Sequence, residues 1–248
     1  EGEPVASTDR RGEPLKEPVA AYAQAARLEP FGFSGWIGPE PHGAEPGNSG
    51  LRRDPFFAAQ ALASLDALEA ERRRSSSAPP WLMVCSLVNP HDIVLFGLAW
   101  LRVRALFKDS SVPKIEPPTT RSEDLATKPS CQASYVKTYP RMLAPQPTIG
   151  LYRQFYYYLH KVVDAELLRV HDRLKDSSFF EDTVVVFTSD HGDLLGAHGG
   201  MHQKWHNAYE GTVHVPFVVS SPLVRGGRSE GDSATSHADL LPTLLGLA

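Results

Sequence analysis

The chain has 248 residues, with 25 Lys and Arg against 29 Asp and Glu, and a formal net charge of −4 at pH 7. That length can bury the core of one large domain, and the slight acidity leaves no basic surplus to neutralise phosphates, which excludes a general nucleic-acid partner. No apolar run reaches the ~18–20 residues that cross a bilayer, and two cysteines, Cys85 and Cys131, make neither a disulfide framework nor a cysteine-based metal site.

Residues 1–17 are charged and rich in Pro and Gly and predict a loop or a disordered start. Residues 18–28 predict a short alanine-rich helix. The stretch 32–50, GFSGWIGPEPHGAEPGNSG, is too dense in glycine and proline to be regular, so 1–50 is a loop-rich segment in which Trp36 and Ile37 serve as pins and His42 is structural. Asp54-Pro55 predicts the start of a helix, with Asp54 as N-cap and proline at the first helical position. Apolar residues Phe57, Ala61, Leu65 and Leu68 then mark one helix face, and the basic tail Arg72–Arg74 suits the negative end of the helix dipole.

Residues 81–88, WLMVCSLV, predict a strand buried on both faces, with Cys85 an inert thiol inside it. It ends in the polar cluster Asn89-Pro90-His91-Asp92, where Pro90 forces a turn. Residues 106–148 are polar, punctuated by prolines and without sustained periodicity, and predict a surface excursion that shapes a substrate mouth. Tyr135 and Tyr139 within it either line a site or pack. Residues 150–176 carry the clearest helical stripe: Tyr152, Phe155, Tyr156, Leu159, Val163, Leu167, Val170 and Leu174.

A second buried strand is expected at 183–188. It runs into Ser189-Asp190-His191-Gly192-Asp193, with Gly192, Gly196, Gly199 and Gly200 free to bend the backbone around whatever those side chains hold. A carboxylate and an imidazole at the C-terminal end of a buried strand lie where open α/β sheets bind ligands. A polar strand end capping the next helix is the plain alternative. A further strand at 215–220 and a final helix capped by Ser236 or Asp239 complete the pattern. Strands alternating with helices indicate an α/β fold: a mixed, largely parallel sheet sandwiched between helices.

Five of the ten histidines fall between 191 and 214. His198, His202 and His206 are spaced by four, but Gly199 and Gly200 argue against the regular helix that would gather them on zinc. A hard cation held by Asp190 suits the chemistry better, because carboxylates select calcium, magnesium or manganese. Lys204 can turn a positive charge toward the same place. A cation, a lysine and histidines at one sheet edge make a site for a tetrahedral oxyanion.

SDHGDLLGAHGG, then QKW and YE, then VPFVVSSP, then ADLLPTLLGLA, with NPHD after the upstream strand, resemble the sulfatases of the alkaline phosphatase superfamily in order and spacing. The likeness covers 81–93 and 147–248, and the loop and helix before them resemble bacterial arylsulfatase-type members. The resemblance implies an alkaline phosphatase/sulfatase-like fold, incomplete at both ends, with 1–248 as part of a catalytic domain whose metal-site motif lies in 150–248. It implies Asp190 and His191 as metal ligands, usually for calcium. His91 and Lys204 are implied as catalytic residues that also contact the sulfate, and His198 stands at the rim as a substrate-binding residue. The family's nucleophile is a formylglycine hydrate made from a Cys/Ser-x-Pro-x-Arg segment. Here Cys85 begins CSLVN, Cys131 begins CQASY, and 220–225, SSPLVR, misses the spacing by one place. The family's first pair of metal-ligating aspartates is also absent.

The expectation is therefore a metal-dependent sulfatase acting on a small-molecule or carbohydrate sulfate ester. This chain would be the middle and C-terminal part of the catalytic domain, inactive alone and without a membrane segment. A phosphonate or phosphate ester hydrolase of the same superfamily, and a degenerate non-catalytic domain, are the alternatives.

Overall fold

A computed structural model describes residues 5–11, 13–39, 48–75, 78–96, 111–142, 148–222, 227 and 231–247. The expectations for His42, and for 97–110 and 143–147 of the excursion and the apolar run before it, lie outside the described residues.

Two long helices, α2 (Gly50–Arg74) and α4 (Ile149–Lys175), pack on one another. The foreseen stripe of α4 is its buried face: Tyr152, Phe155, Leu159, Val163 and Leu174 are all under one-tenth exposed. Tyr152, Phe155 and Leu159 join Ile93 and Phe96 in one cluster. Leu174 joins Leu65 and Phe179 in a second, flanked by Trp81, Met83 and Val185. Burying each such side chain contributes about 1.5–3 kcal/mol. Arg72 to Asp182 at 3.1 Å and Arg173 to Asp66 at 2.7 Å tie the same elements at the surface, where ion pairs add at most about 1 kcal/mol.

Helix α2 begins at Gly50, four positions before the expected N-cap. Its buried face runs through Asp54, Ala58, Ala61, Leu65 and Glu69, so Asp54 is an inward-facing residue of the first turns and not a cap. Of the foreseen face, Ala61 and Leu65 are buried and Leu68 packs against the cluster of Leu65; the polar Asp54 and Glu69 also lie on it, which a hydrophobicity reading does not show. Helix α1 (Lys16–Ala25) forms close to where its alanines place it. The loop before it is tied down: Asp9 Oδ1 accepts the amides of Arg11 and Glu13, and Ser7 is fully buried.

The sheet departs from expectation. Among the described residues, β1 (Val185–Thr188) pairs only with β2 (Phe217–Ser220), and the pairing is antiparallel, with Val185 opposite Ser220 and Thr188 opposite Phe217. The largely parallel sheet is therefore not formed there. Neither strand is buried on both faces: Val185 rests on the Leu65–Leu174–Phe179 cluster, while Phe187 and all of β2 are exposed. Residues 81–88 are extended without strand pairing among the described residues. They alternate instead, Trp81 and Met83 packing inward while Leu82 and Val84 face out at 61% and 68% exposure. A continuous apolar run cannot by itself distinguish this from a strand covered on both sides.

The excursion also holds structure the sequence concealed. Within 111–142 lies helix α3 (Ser130–Met142), whose Tyr139 is buried against Leu194, Ala197 and Met201. At the C-terminus the expected cap is present: Ser236 and Asp239 form a reciprocal capping box ahead of α5 (Leu240–Leu247). Among the described residues no helix is long and apolar enough to cross a membrane.

Burial separates Leu65 from Leu82. Leu65→Ala should cost about 2–5 kcal/mol in urea unfolding, and Leu82→Ala less than about 0.5 kcal/mol. Equal losses would restore the doubly buried strand at 81–88.

Candidate functional site

The first half of the site is a turn gripped by a helix start. Asp54 reaches from α2 to accept the amide of Val88 at 2.6 Å and that of Asn89 at 3.1 Å. In return Asp92 accepts the amides of Gly50 at 2.9 Å and Leu51 at 3.0 Å, closing the orphan donors of the α2 N-terminus. The two carboxylates form a reciprocal clasp, and His91 lies between its points of attachment, opening the 3-10 turn His91–Leu95. A side chain at position 50 would meet Asn89 Nδ2 at 2.4 Å and Asp54 Oδ2 at 2.8 Å, so only glycine admits this approach. Burial raises both acids, Asp54 to about 6, while the amides they accept oppose the shift.

The second half follows β1. Asp190 Oδ1 accepts the amide of His191 at 2.9 Å, and Asp190 Oδ2 lies 3.3 Å from His191 Nε2. Asp190 is otherwise open to solvent, its side chain 82% exposed. Gly192 donates to Thr212 O at 2.8 Å, and a Cβ there would fall 2.2 Å from Gly211 O. Asp193 turns inward: Oδ2 accepts the hydroxyl of Tyr152 at 2.7 Å, Oδ1 accepts the amide of Leu195 at 2.8 Å, and Gln203 donates to the same tyrosine oxygen at 3.2 Å. The chain from 193 to 204 is thereby anchored on α4 immediately before Lys204.

These halves meet. Burial lowers His91, and the charge of Lys204 lowers it further, with His191 acting in the same sense and Asp92 and Asp190 against it. Lys204 is lowered by burial and drawn back by Asp193 and Asp190. His91, Asp190, His191 and Lys204 therefore share one electrostatic neighbourhood, although 99 residues of sequence (190 minus 91) separate its first two members. His198 has its Nδ1 paired with Glu123 and its ring stacked on Tyr209 with centroids 3.7 Å apart.

The three histidines spaced by four do not converge. Residues Ala197–Gly200 make a tight turn with His198 and Gly199 in left-handed backbone. His202 is buried between the rings of Tyr139 and Tyr152, with Nδ1 2.6 Å from the Tyr139 hydroxyl. Nor do the described residues complete a cage for a hard cation. No cluster of three His, Cys, Asp or Glu suited to a metal occurs among them, whereas calcium takes 6–8 oxygens. Asp190 and His191 are the donor types such a site uses but supply only part of one, so no step is routed through a metal below. Sequence reasoning missed Asp54, Asp92, Asp193 and Tyr152 as supports, although Asp92 and Asp193 stand in the polar clusters that follow 81–88 and 183–188 and Tyr152 in the stripe of α4.

The match to known proteins follows this geometry. The model of the sulfatase family matches residues 51–248. YidJ of Escherichia coli, described as an uncharacterized sulfatase, is 32% identical over 170 residues, covering 68% of this chain and 32% of that protein. The choline-sulfatase of Rhizobium meliloti is 26% identical over 78% of this chain and 35% of its own length. Arylsulfatase K of Gallus gallus is 35% identical over 96 residues, 39% of this chain and 17% of that protein. Among solved structures, the Bacteroides fragilis protein yidJ, assigned as a sulfatase, superposes with a TM-score of 0.50 at 25% identity, over 78% of this chain and 36% of that one. The chain thus spans about a third of the length of the relatives it matches most extensively.

Burial sets a pH signature on this scaffold, depressing His202 to about 4. Unfolded imidazole titrates near 6.5, so between about pH 6.5 and 4 the unfolded chain binds a proton that the folded chain refuses. This contribution to stability is full above about pH 6.5 and falls as pH drops toward about 4. Urea midpoints measured across that window should show the decline in wild type and a shallower one in His202→Gln. Identical slopes would place the proton uptake elsewhere.

Proposed function

The chain belongs to the sulfatase family, and from that premise we propose that the protein carrying it hydrolyses sulfate esters of a small molecule or carbohydrate at the site formed by His91, Asp190, His191 and Lys204. What supports the reading is the sulfatase-family match over residues 51–248, together with the charge of Lys204 acting on His91 from a distant segment. A lysine ammonium held there can offset charge on the sulfate and on the departing oxygen, the largest single kind of contribution in such reactions. His91, its basicity lowered by burial and by Lys204, is neutral at neutral pH and can donate or accept a hydrogen bond at the transferring group. Asp190 and His191 would contribute ligands to a divalent cation, calcium in this reading, whose remaining donors would come from the rest of the protein and whose charge would offset that of the sulfate. Residues 1–248 contain no Cys/Ser-x-Pro-x-Arg segment, so the reading assigns a formylglycine nucleophile to sequence outside them; that group supplies the attacking oxygen.

In the full-length protein, Lys204→Ala and His91→Ala should each lower kcat/KM for an aryl sulfate about 10²–10³-fold. An aryl phosphodiester should turn over more slowly than the sulfate. Preference for the phosphodiester, or wild-type rates in both variants, would contradict the reading.

The 248-residue chain alone should give no multiple turnovers of the same aryl sulfate, and isothermal titration should show calcium binding weaker than about 1 mM, since two donors make a poor cage. Turnover by the isolated chain would show that the nucleophile lies within it.

A further inference from the structure

We propose that Asp54 is a positioning residue for His91, acting through the backbone of the turn that carries it. The inference rests on the reading above that His91 contacts the substrate. The observations concern Asp54 itself. It stands inside α2, not at its end, and it is 2% exposed. Both of its oxygens are committed to amides of another segment, Val88 and Asn89, three and two residues before His91. The helix itself does not require this, because the first amides of α2 are served by Asp92 and by Ser49 O.

The geometry gives Asp54 a directional role. A single carboxylate that accepts two consecutive amides fixes the orientation of both peptide planes, which no apolar side chain can do. The turn is fixed from the other end as well, since Asp92 is bound to α2 and His91 N donates to Val88 O at 3.0 Å. His91 is an exposed residue whose ring is only partly desolvated, so its position leans on the backbone that carries it. Its placement relative to Lys204 depends on the backbone beneath it. Lys204 hangs from a different scaffold, the Asp193–Tyr152 contact on α4. Keeping the two in register therefore falls to α2 and α4 and to the carboxylates that link each to its loop.

Glu69 provides the internal control. It lies on the same buried face of α2 and also accepts a backbone amide, that of Ser178 at 3.0 Å, but it has no connection to 88–92.

The test uses the full-length protein and an aryl sulfate, with Asp54→Asn, Glu69→Gln, His91→Ala and the double variant Asp54→Asn/His91→Ala. Asp54→Asn keeps one acceptor but turns an N–H donor toward the amide of Val88 or Asn89. The expected result is a fall in kcat of at least about 10-fold with KM little changed. Glu69→Gln, matched for loss of melting temperature, should keep kcat within about 3-fold. In the His91→Ala background, Asp54→Asn should cost less than about 3-fold more, because residues that act through one another are not additive. Additive losses, or an Asp54→Asn variant that behaves like Glu69→Gln, would overturn the proposal. Should Asp54→Asn fail to fold, Asp92→Asn loosens the same clasp from its other side and is held to the same two criteria. A wild-type rate in His91→Ala would instead overturn the reading of the site, a separate outcome.

Discussion

Two buried carboxylates exchanged between a helix and a turn are the constraint on which this site depends. Asp54 leaves α2 to hold the amides of Val88 and Asn89, and Asp92 returns from the turn to hold those of Gly50 and Leu51. Each hydrogen bond to a charged group contributes about 1.5–3 kcal/mol, and removing one partner strands buried amides at a comparable cost. The arrangement needs Gly50, since any side chain there would collide with Asn89. It converts a turn on the surface into a fixed platform. His91, carried by that turn, inherits its rigidity.

The other half of the site obeys the same logic with different partners. Asp193 is buried against Tyr152 of α4, and Gln203 shares that tyrosine. Lys204 follows directly, so its ammonium is delivered by a loop anchored to the core of the second long helix. The helices α2 and α4 that hold these loops pack together. The chemistry of a sulfate ester asks for this: cationic and hydrogen-bonding groups already placed before charge develops.

Much of this was legible in the chain, and the failures share a cause. The α4 stripe and a cap at Ser236 or Asp239 follow from periodicity and local pattern, and membership of the sulfatase family follows from a motif set whose order resembles it. The strands were misjudged because a short apolar run reports that side chains avoid water without reporting how many faces are covered; Leu82 and Val84 are exposed where burial was expected. Helix α3 was hidden because the excursion that contains it is punctuated by prolines. Asp54 was misread for a subtler reason. An aspartate before a proline normally marks a helix start, but here its oxygens are used by amides from a segment more than thirty residues away in sequence, a partner no local pattern reveals. Long-range polar contacts of this kind carry the site, and they are what single-sequence reasoning cannot see.

The account stands or falls on whether His91 and Lys204 address one substrate group. The direct measurement is a crystal structure of the full-length protein with sulfate bound. The account predicts sulfate oxygens within about 2.6–3.2 Å of both Lys204 Nζ and the His91 imidazole, with Asp54 and Asp92 still holding the turn. Sulfate bound away from this pair, or reached by neither side chain, would contradict it.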